Sequence, residues 1–325
     1  DKSLYNLSMN FVTKHLNRTS LENLKRNDIR VFKGEKEKVF LFYRDKIAVI
    51  SKDSISTMKY DDFHHTIWQS DIMDRNVPDV EMKLDTEDGV FEKFFHNVFG
   101  STSQGKQFAM RVIGYALQRY RDLSNMRAII LNDSGMDDAA KGGTGKGLIY
   151  QALSKFQPSV IENGKAFRAD RQFTFQNVNI DTRLCFIDDV SPRFDITDLF
   201  SVITDGLYIE KKHKQPIKII PENAPLFMLS TNYGLQGSDE SHLRRRYDLG
   251  LDKYYGADKT PRDEFGHQFF VEWDERPEQW VKFDLFMMKC VQKYLSVNPL
   301  KSWYNPAIAL KQLRADTHSE FPEIA

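Results

Sequence analysis

The string Lys141-Gly142-Gly143-Thr144-Gly145-Lys146-Gly147 combines glycines, a hydroxyl and a lysine ahead of an apolar segment. Glycines let a backbone curl so that successive N–H groups face phosphate oxygens, and the lysine adds a point charge for the β- and γ-phosphates. A helix opening at Leu148 would add its N-terminal dipole. The expected nucleotide-binding set is therefore Gly142, Gly143, Thr144, Gly145, Lys146, Gly147 and Leu148, with ATP as the ligand. The first glycine of the usual pattern is replaced by Ala140. The final Ser/Thr, which normally holds Mg²⁺, is replaced by Gly147.

A second chemical signal follows. Leu184-Cys185-Phe186-Ile187 is an apolar run that ends in Asp188 and Asp189. Two carboxylates at the end of a buried strand suit metal-assisted hydrolysis. One holds Mg²⁺ through its waters and the other polarises the attacking water. Pro225 to Ser230 is a further apolar run, and it leads to Asn232, an amide able to orient the lytic water. His242-Leu243-Arg244-Arg245-Arg246 then offers arginines for a neighbouring subunit's ATP. Arg245 and Arg246 are the expected pair, with Arg246 ahead.

Between the acids and the asparagine, Gly206 to Ile219 alternates around Lys211-Lys212-His213-Lys214. This reads as a β-hairpin with a cationic tip. It is either a solvated turn or a contact for a phosphate backbone.

The elements that must hold these residues follow from periodicity. Val39–Tyr43 and Ile47–Ile50 flank Arg44-Asp45-Lys46 as a hairpin. The stretch before Asn27 and the stretch from Gln107 to Arg121 carry helical spacing, and Ser54 to Asp74 reads as helical or irregular. From Ala128 onward, short apolar runs separated by helical segments predict an α/β fold with a central parallel sheet flanked by helices. The expected division is an N-terminal accessory domain over 1–90, an ATPase core over 91–255 and a C-terminal helical segment over 256–325.

Bulk composition narrows the classes. Net charge is +0, so nucleic-acid contact must rest on local patches. The two cysteines, Cys185 and Cys290, have no zinc spacing. No apolar run has the length of a membrane span, so no membrane partner is expected. An intracellular, cytoplasmic setting is expected, and a start at Asp1 suggests a piece of a longer protein.

The order of phosphate loop, acidic pair, basic hairpin, Asn-terminated strand and arginines resembles the superfamily 3 helicases of viruses, phages and plasmids. Glu210-Lys211-Lys212-His213 is similar to the central hairpin of polyomavirus large tumour antigens. Ile203-Thr204-Asp205-Gly206, Ser230-Thr231-Asn232 with Arg245-Arg246, and Glu272-Trp273-Asp274 look closer to phage and poxvirus primase-helicases. The resemblance covers roughly Phe91 to Leu295. It implies an AAA+-type P-loop ATPase that forms hexameric rings, hydrolyses ATP between subunits and moves on single-stranded DNA. Lys212 and His213 would contact the DNA. It further implies a primase domain or other replication proteins as partners, and a phage or mobile element in a bacterial host. Three other readings stay open: a DNA-gripping initiator or loader, a small-molecule kinase suggested by Gly147, and a nucleotide-binding scaffold without turnover.

Overall fold

The structure is a computed structural model. It describes residues 30–80, 88–134, 142–169, 171–192, 194–212, 215–235, 240–297, 299–303 and 305–317. The helix expected before Asn27, the substituted loop position Ala140, and His213 and Lys214 of the hairpin lie outside the described residues.

Three strands come first: β1 Val39–Phe42, β2 Ile47–Ile50 and β3 Ile55–Met58. They form an antiparallel meander in which Val39 faces Ile50 and Ile47 faces Met58. The expected hairpin is present. The third strand departs from the helical or irregular reading of Ser54 to Asp74, because Ile55-Ser56-Thr57-Met58 is too polar at its centre to announce a strand. Alternation divides the faces of β1. Phe40 and Phe42 pack with Phe32, whereas Val39 and Leu41 join the main core.

Two helices follow, α1 Val90–Phe99 and α2 Ser103–Leu117. The Thr102 side chain caps α2 by accepting from the Gly105 amide at 3.0 Å. The helix ends at Leu117, short of the expected Arg121, as Gln118 turns extended and its amide reaches the Glu35 carbonyl.

The central layer is built from β4 Ala128–Asp133, α3 Lys146–Ser154, β5 Ser159–Asn163, β6 Leu184–Asp188, α4 Phe200–Asp205, β7 Leu207–Ile209, β8 Ile217–Ile219, β9 Leu226–Thr231, α5 Glu240–Leu243 and β10 Arg246–Leu251. Three more helices complete the chain: α6 Pro261–Phe265, α7 Pro277–Leu295 and α8 Pro306–Thr317.

Five strands pair in the order β10-β4-β9-β6-β5, all parallel. The expected parallel sheet with flanking helices is present. Each inner strand buries both faces. Ile129, Leu131, Phe186 and Met228 point to one apolar layer, and Ile130, Cys185, Ile187 and Leu229 point to the other. The first layer receives α1, α2, α3 and α7, and the second receives α4 and the β7–β8 hairpin. Helices α2 and α7 cross so closely that a Cβ on Gly114 would lie 2.3 Å from the Cys290 carbonyl oxygen.

Candidate active site

The strand order brings the polar ends of β4, β9 and β6 side by side, because parallel strands present their carboxyl ends to one edge. At that edge lies a cleft of about 910 Å³. Its walls include Gly142 through Leu148, Asp188, Asp189, Ser230 and Asn232. The structure therefore gathers the sequence-predicted loop, both acids and the asparagine on one cavity.

The loop is shaped by its glycines. Gly145 has φ +106, in the region that favours glycine, and a Cβ there would press to 2.7 Å from the Phe94 ring. Gly145 then opens α3, accepting from the Leu148 amide at 3.0 Å. The first amides of a helix have no intrahelical acceptor, so this turn presents donors to an anion. Added Cβ atoms at Gly142 and Gly147 would meet nothing within 4 Å, which leaves the backbone open to a ligand.

Lys146 reaches across the strand ends. Its Nζ donates to Asn232 Oδ1 at 2.6 Å and to Asp133 Oδ1 at 2.7 Å. The Thr144 hydroxyl donates to the same Asp133 oxygen at 2.6 Å, and its residue is buried. Thr144 thus braces the loop from within.

The acids are held by a serine. Ser230 Oγ donates to Asp188 Oδ1 at 2.6 Å and accepts from the Asp189 amide at 2.7 Å. Asp189 adopts a left-handed backbone with φ 56, a conformation aspartate tolerates better than most residues. Its carboxylate pairs with Lys165 at 2.9 Å. Lys165 comes close because Gly164 packs against the end of β6, where a Cβ would lie 2.5 Å from the Asp188 carbonyl oxygen.

Asp133, Ser230 and Lys165 were not among the sequence-predicted site residues. Asp133 follows an apolar run with no glycine or lysine beside it, and Ser230 reads as strand. Lys165 belongs to a polar loop whose fold alone brings it to Asp189.

The arginines lie elsewhere. Arg244 and Arg245 precede β10 and Arg246 opens it, at the amino edge of the sheet, away from the cleft of their own chain. Arg246, the first-ranked arginine, is 1% exposed, and its Nε donates to Asp248 at 3.1 Å. It is a strand residue locked inside its own chain, and this corrects its expected role at a neighbour's ATP. Arg245 donates to the Ser241 hydroxyl at 2.7 Å and stacks its guanidinium 4.6 Å from the Phe200 ring centre. Arg244 is exposed.

The basic hairpin is present, with Leu207 opposite Ile219 and Tyr208 opposite Lys218. Lys212 is exposed, and Lys211 donates to the Asn179 side chain. Tyr208, 58% exposed, stands beside a groove of about 510 Å³ that Phe173 and Arg171 also line. Phe173 has φ 66 and is 39% exposed, an aromatic ring turned outward.

A family model, the family of unknown function DUF5906, matches residues 139–246, the segment from the loop to the start of β10. Among curated proteins, none matches the chain. Solved structures similar in shape include the A form apo structure of the NrS-1 C terminal region, at 14% identity and a TM-score of 0.46, covering 87% of this chain and 73% of that one. A second apo structure of the same region matches at 13% identity, with the same TM-score of 0.46 and the same coverage of 87% and 73%. Likeness at this level transfers no residue role. Among the described residues, no helix is long and apolar enough to cross a membrane.

Proposed function

We propose that this chain is an ATP-dependent DNA helicase of the phage, plasmid and viral replication type. The observation that carries the reading is the convergence of Lys146, Asn232, Asp188 and Asp189 on one cleft at the carboxyl edge of a parallel sheet. The described residues also carry a hairpin with exposed Lys212 and Tyr208, which suits a nucleic-acid track.

In this reading the amides of Gly143 to Leu148 bind the β- and γ-phosphates, and Lys146 exchanges Asp133 for phosphate oxygens. The residues fit a magnesium ion: Asp188 lines the cleft with one oxygen fixed by Ser230. The ion would neutralise the phosphate charge there. With Gly147 in place of a hydroxyl residue, the carboxylates carry the whole protein share of that site. Asp189 accepts the proton of the attacking water, and Asn232 orients that water once Lys146 has released its amide oxygen. Arg244 serves a neighbouring subunit's ATP from the opposite edge, in a homo-oligomeric ring. The reading divides the chain at about residues 90 and 255, as its motifs suggest.

The test is ATPase activity with and without single-stranded DNA, together with strand displacement on a forked duplex. Turnover stimulated by DNA, with displacement, supports the proposal, and Lys146→Ala should abolish both. DNA-stimulated turnover without displacement would point to a loader, and wild-type turnover in Lys146→Ala would refute the site.

A further inference from the structure

A buried charge imbalance lies far from the cleft. Arg119, Arg121 and Arg183 line a narrow cavity of about 20 Å³ with Phe40, Phe42, Gln118 and Gln157. Among the described residues, one carboxylate pairs with them. Asp71 is fully buried, and its Oδ1 lies 2.6 Å from Arg119 and 3.7 Å from Arg183. The side chains of Arg119 and Arg183 are themselves only 10% and 11% exposed.

Among the described residues, two further guanidinium nitrogens have no acceptor. Arg121 Nη1 and Arg183 Nε are buried without a hydrogen-bond partner. Asp122, next in the chain to Arg121, is committed to the Ser124 amide and hydroxyl at 3.0 and 2.6 Å. Burial, together with the neighbouring Arg119, pushes Arg183 down to about 10, so it stays cationic at neutral pH. Arginine does not shed its proton to escape such a site. Among the described residues, three cations therefore face one anion in a low-dielectric pocket, and buried charges persist only when compensated.

We propose that this cavity binds one small inorganic anion, held by the guanidinium groups of Arg119, Arg121 and Arg183. The space slightly exceeds the roughly 10–15 Å³ that one water requires, so it suits a monatomic anion such as chloride and excludes both a phosphate and a nucleotide. The position gives the anion a structural effect. Asp71 ends the short turn Gln69–Asp71 that follows the three-stranded sheet, Arg119 and Arg121 follow α2, and Arg183 precedes β6. An anion there ties the N-terminal sheet to the amino edge of the central sheet. Because the site exists only in the folded chain, occupancy stabilises the fold by mass action.

The experiment is thermal unfolding of the full chain at constant ionic strength in sodium chloride and sodium gluconate, with chloride binding followed directly by NMR line broadening. The expected result is a saturable rise in melting temperature with chloride and none with gluconate. Arg121→Met and Arg183→Met should each weaken the apparent affinity at least about tenfold, and Arg121→Lys, which keeps the charge, should retain part of it. Identical melting in the two salts, or line broadening that persists unchanged in both methionine variants, would overturn the proposal. Should the methionine variants fail to fold, the wild-type salt comparison still decides it. Neither result depends on whether the chain hydrolyses ATP.

Discussion

Lys146 Nζ lies 2.7 Å from Asp133 Oδ1, so the ammonium group that the phosphate loop offers is held by a carboxylate of its own chain. Thr144 donates to the same oxygen, and Lys311 donates to the Asp133 backbone carbonyl at 2.7 Å. Asp133 thus pins the loop, the lysine and α8 at the end of β4. A triphosphate must displace this carboxylate before it can claim the lysine.

Asp133→Asn should therefore tighten ATP binding. The amide still accepts hydrogen bonds from Thr144 and Lys146 but no longer competes as a charge. A hydrogen bond to a charged group is worth about 1.5–3 kcal/mol, so a gain of roughly tenfold in affinity is expected. Titration with a fluorescent ATP analogue checks it. Unchanged or weaker binding would mean that Asp133 organises the loop rather than restrains it.

Ser230 positions both acids through one hydroxyl. Ser230→Ala should lower kcat by roughly tenfold with little change in KM, since the acids lose alignment and not charge. Ser230→Thr keeps the hydroxyl and should recover part of the loss. Steady-state ATPase kinetics on the three proteins decide it. A fall confined to KM would assign the serine to nucleotide binding instead.

The sequence was most informative where chemistry and periodicity coincide. Lys146, Asp188 and Asn232 each border a run whose pattern also predicts the element that carries them. It was least informative where charge disguises a strand. In β10, Arg246, Asp248 and Gly250 share one face, so the run reads as a polar arginine cluster. That face is covered by α8, where a Cβ on Gly250 would lie 3.1 Å from Ile308. The Arg246–Asp248 pair is thus interior, and no local signal announces a helix more than fifty residues downstream as its cover. Edge strand β5 was missed for a related reason, since Glu162 and Asn163 end it in polar residues at the rim of the sheet.

Arg244 and Arg246 should accordingly separate in mutagenesis. Arg246→Ala leaves the partly buried Asp248 without its cation and should cost about 3 kcal/mol of stability, read as a lower denaturant midpoint. Arg244→Ala removes an exposed side chain and should leave stability near wild type while depressing ATPase. Mixing Arg244→Ala subunits with Lys146→Ala subunits should then restore activity, because some interfaces regain one intact lysine and one intact arginine. No recovery at any mixing ratio would remove Arg244 from the shared site.

The hairpin offers two separable contacts with a strand of DNA. Lys212 is an exposed charge near the tip, and Tyr208 is an exposed ring across from Lys218. A lysine on a phosphate acts through counterion release. Lys212→Ala should therefore weaken single-stranded DNA binding at low salt and reduce the slope of log affinity against log salt by about 0.7. A ring that stacks on a base acts without counterions. Tyr208→Ala should lose about 1–3 kcal/mol at every salt concentration and leave the slope unchanged. Fluorescence anisotropy with labelled oligonucleotides across a salt series measures both. If Tyr208→Ala alters the slope, or Lys212→Ala leaves it intact, the hairpin does not face DNA in the way its exposed residues suggest.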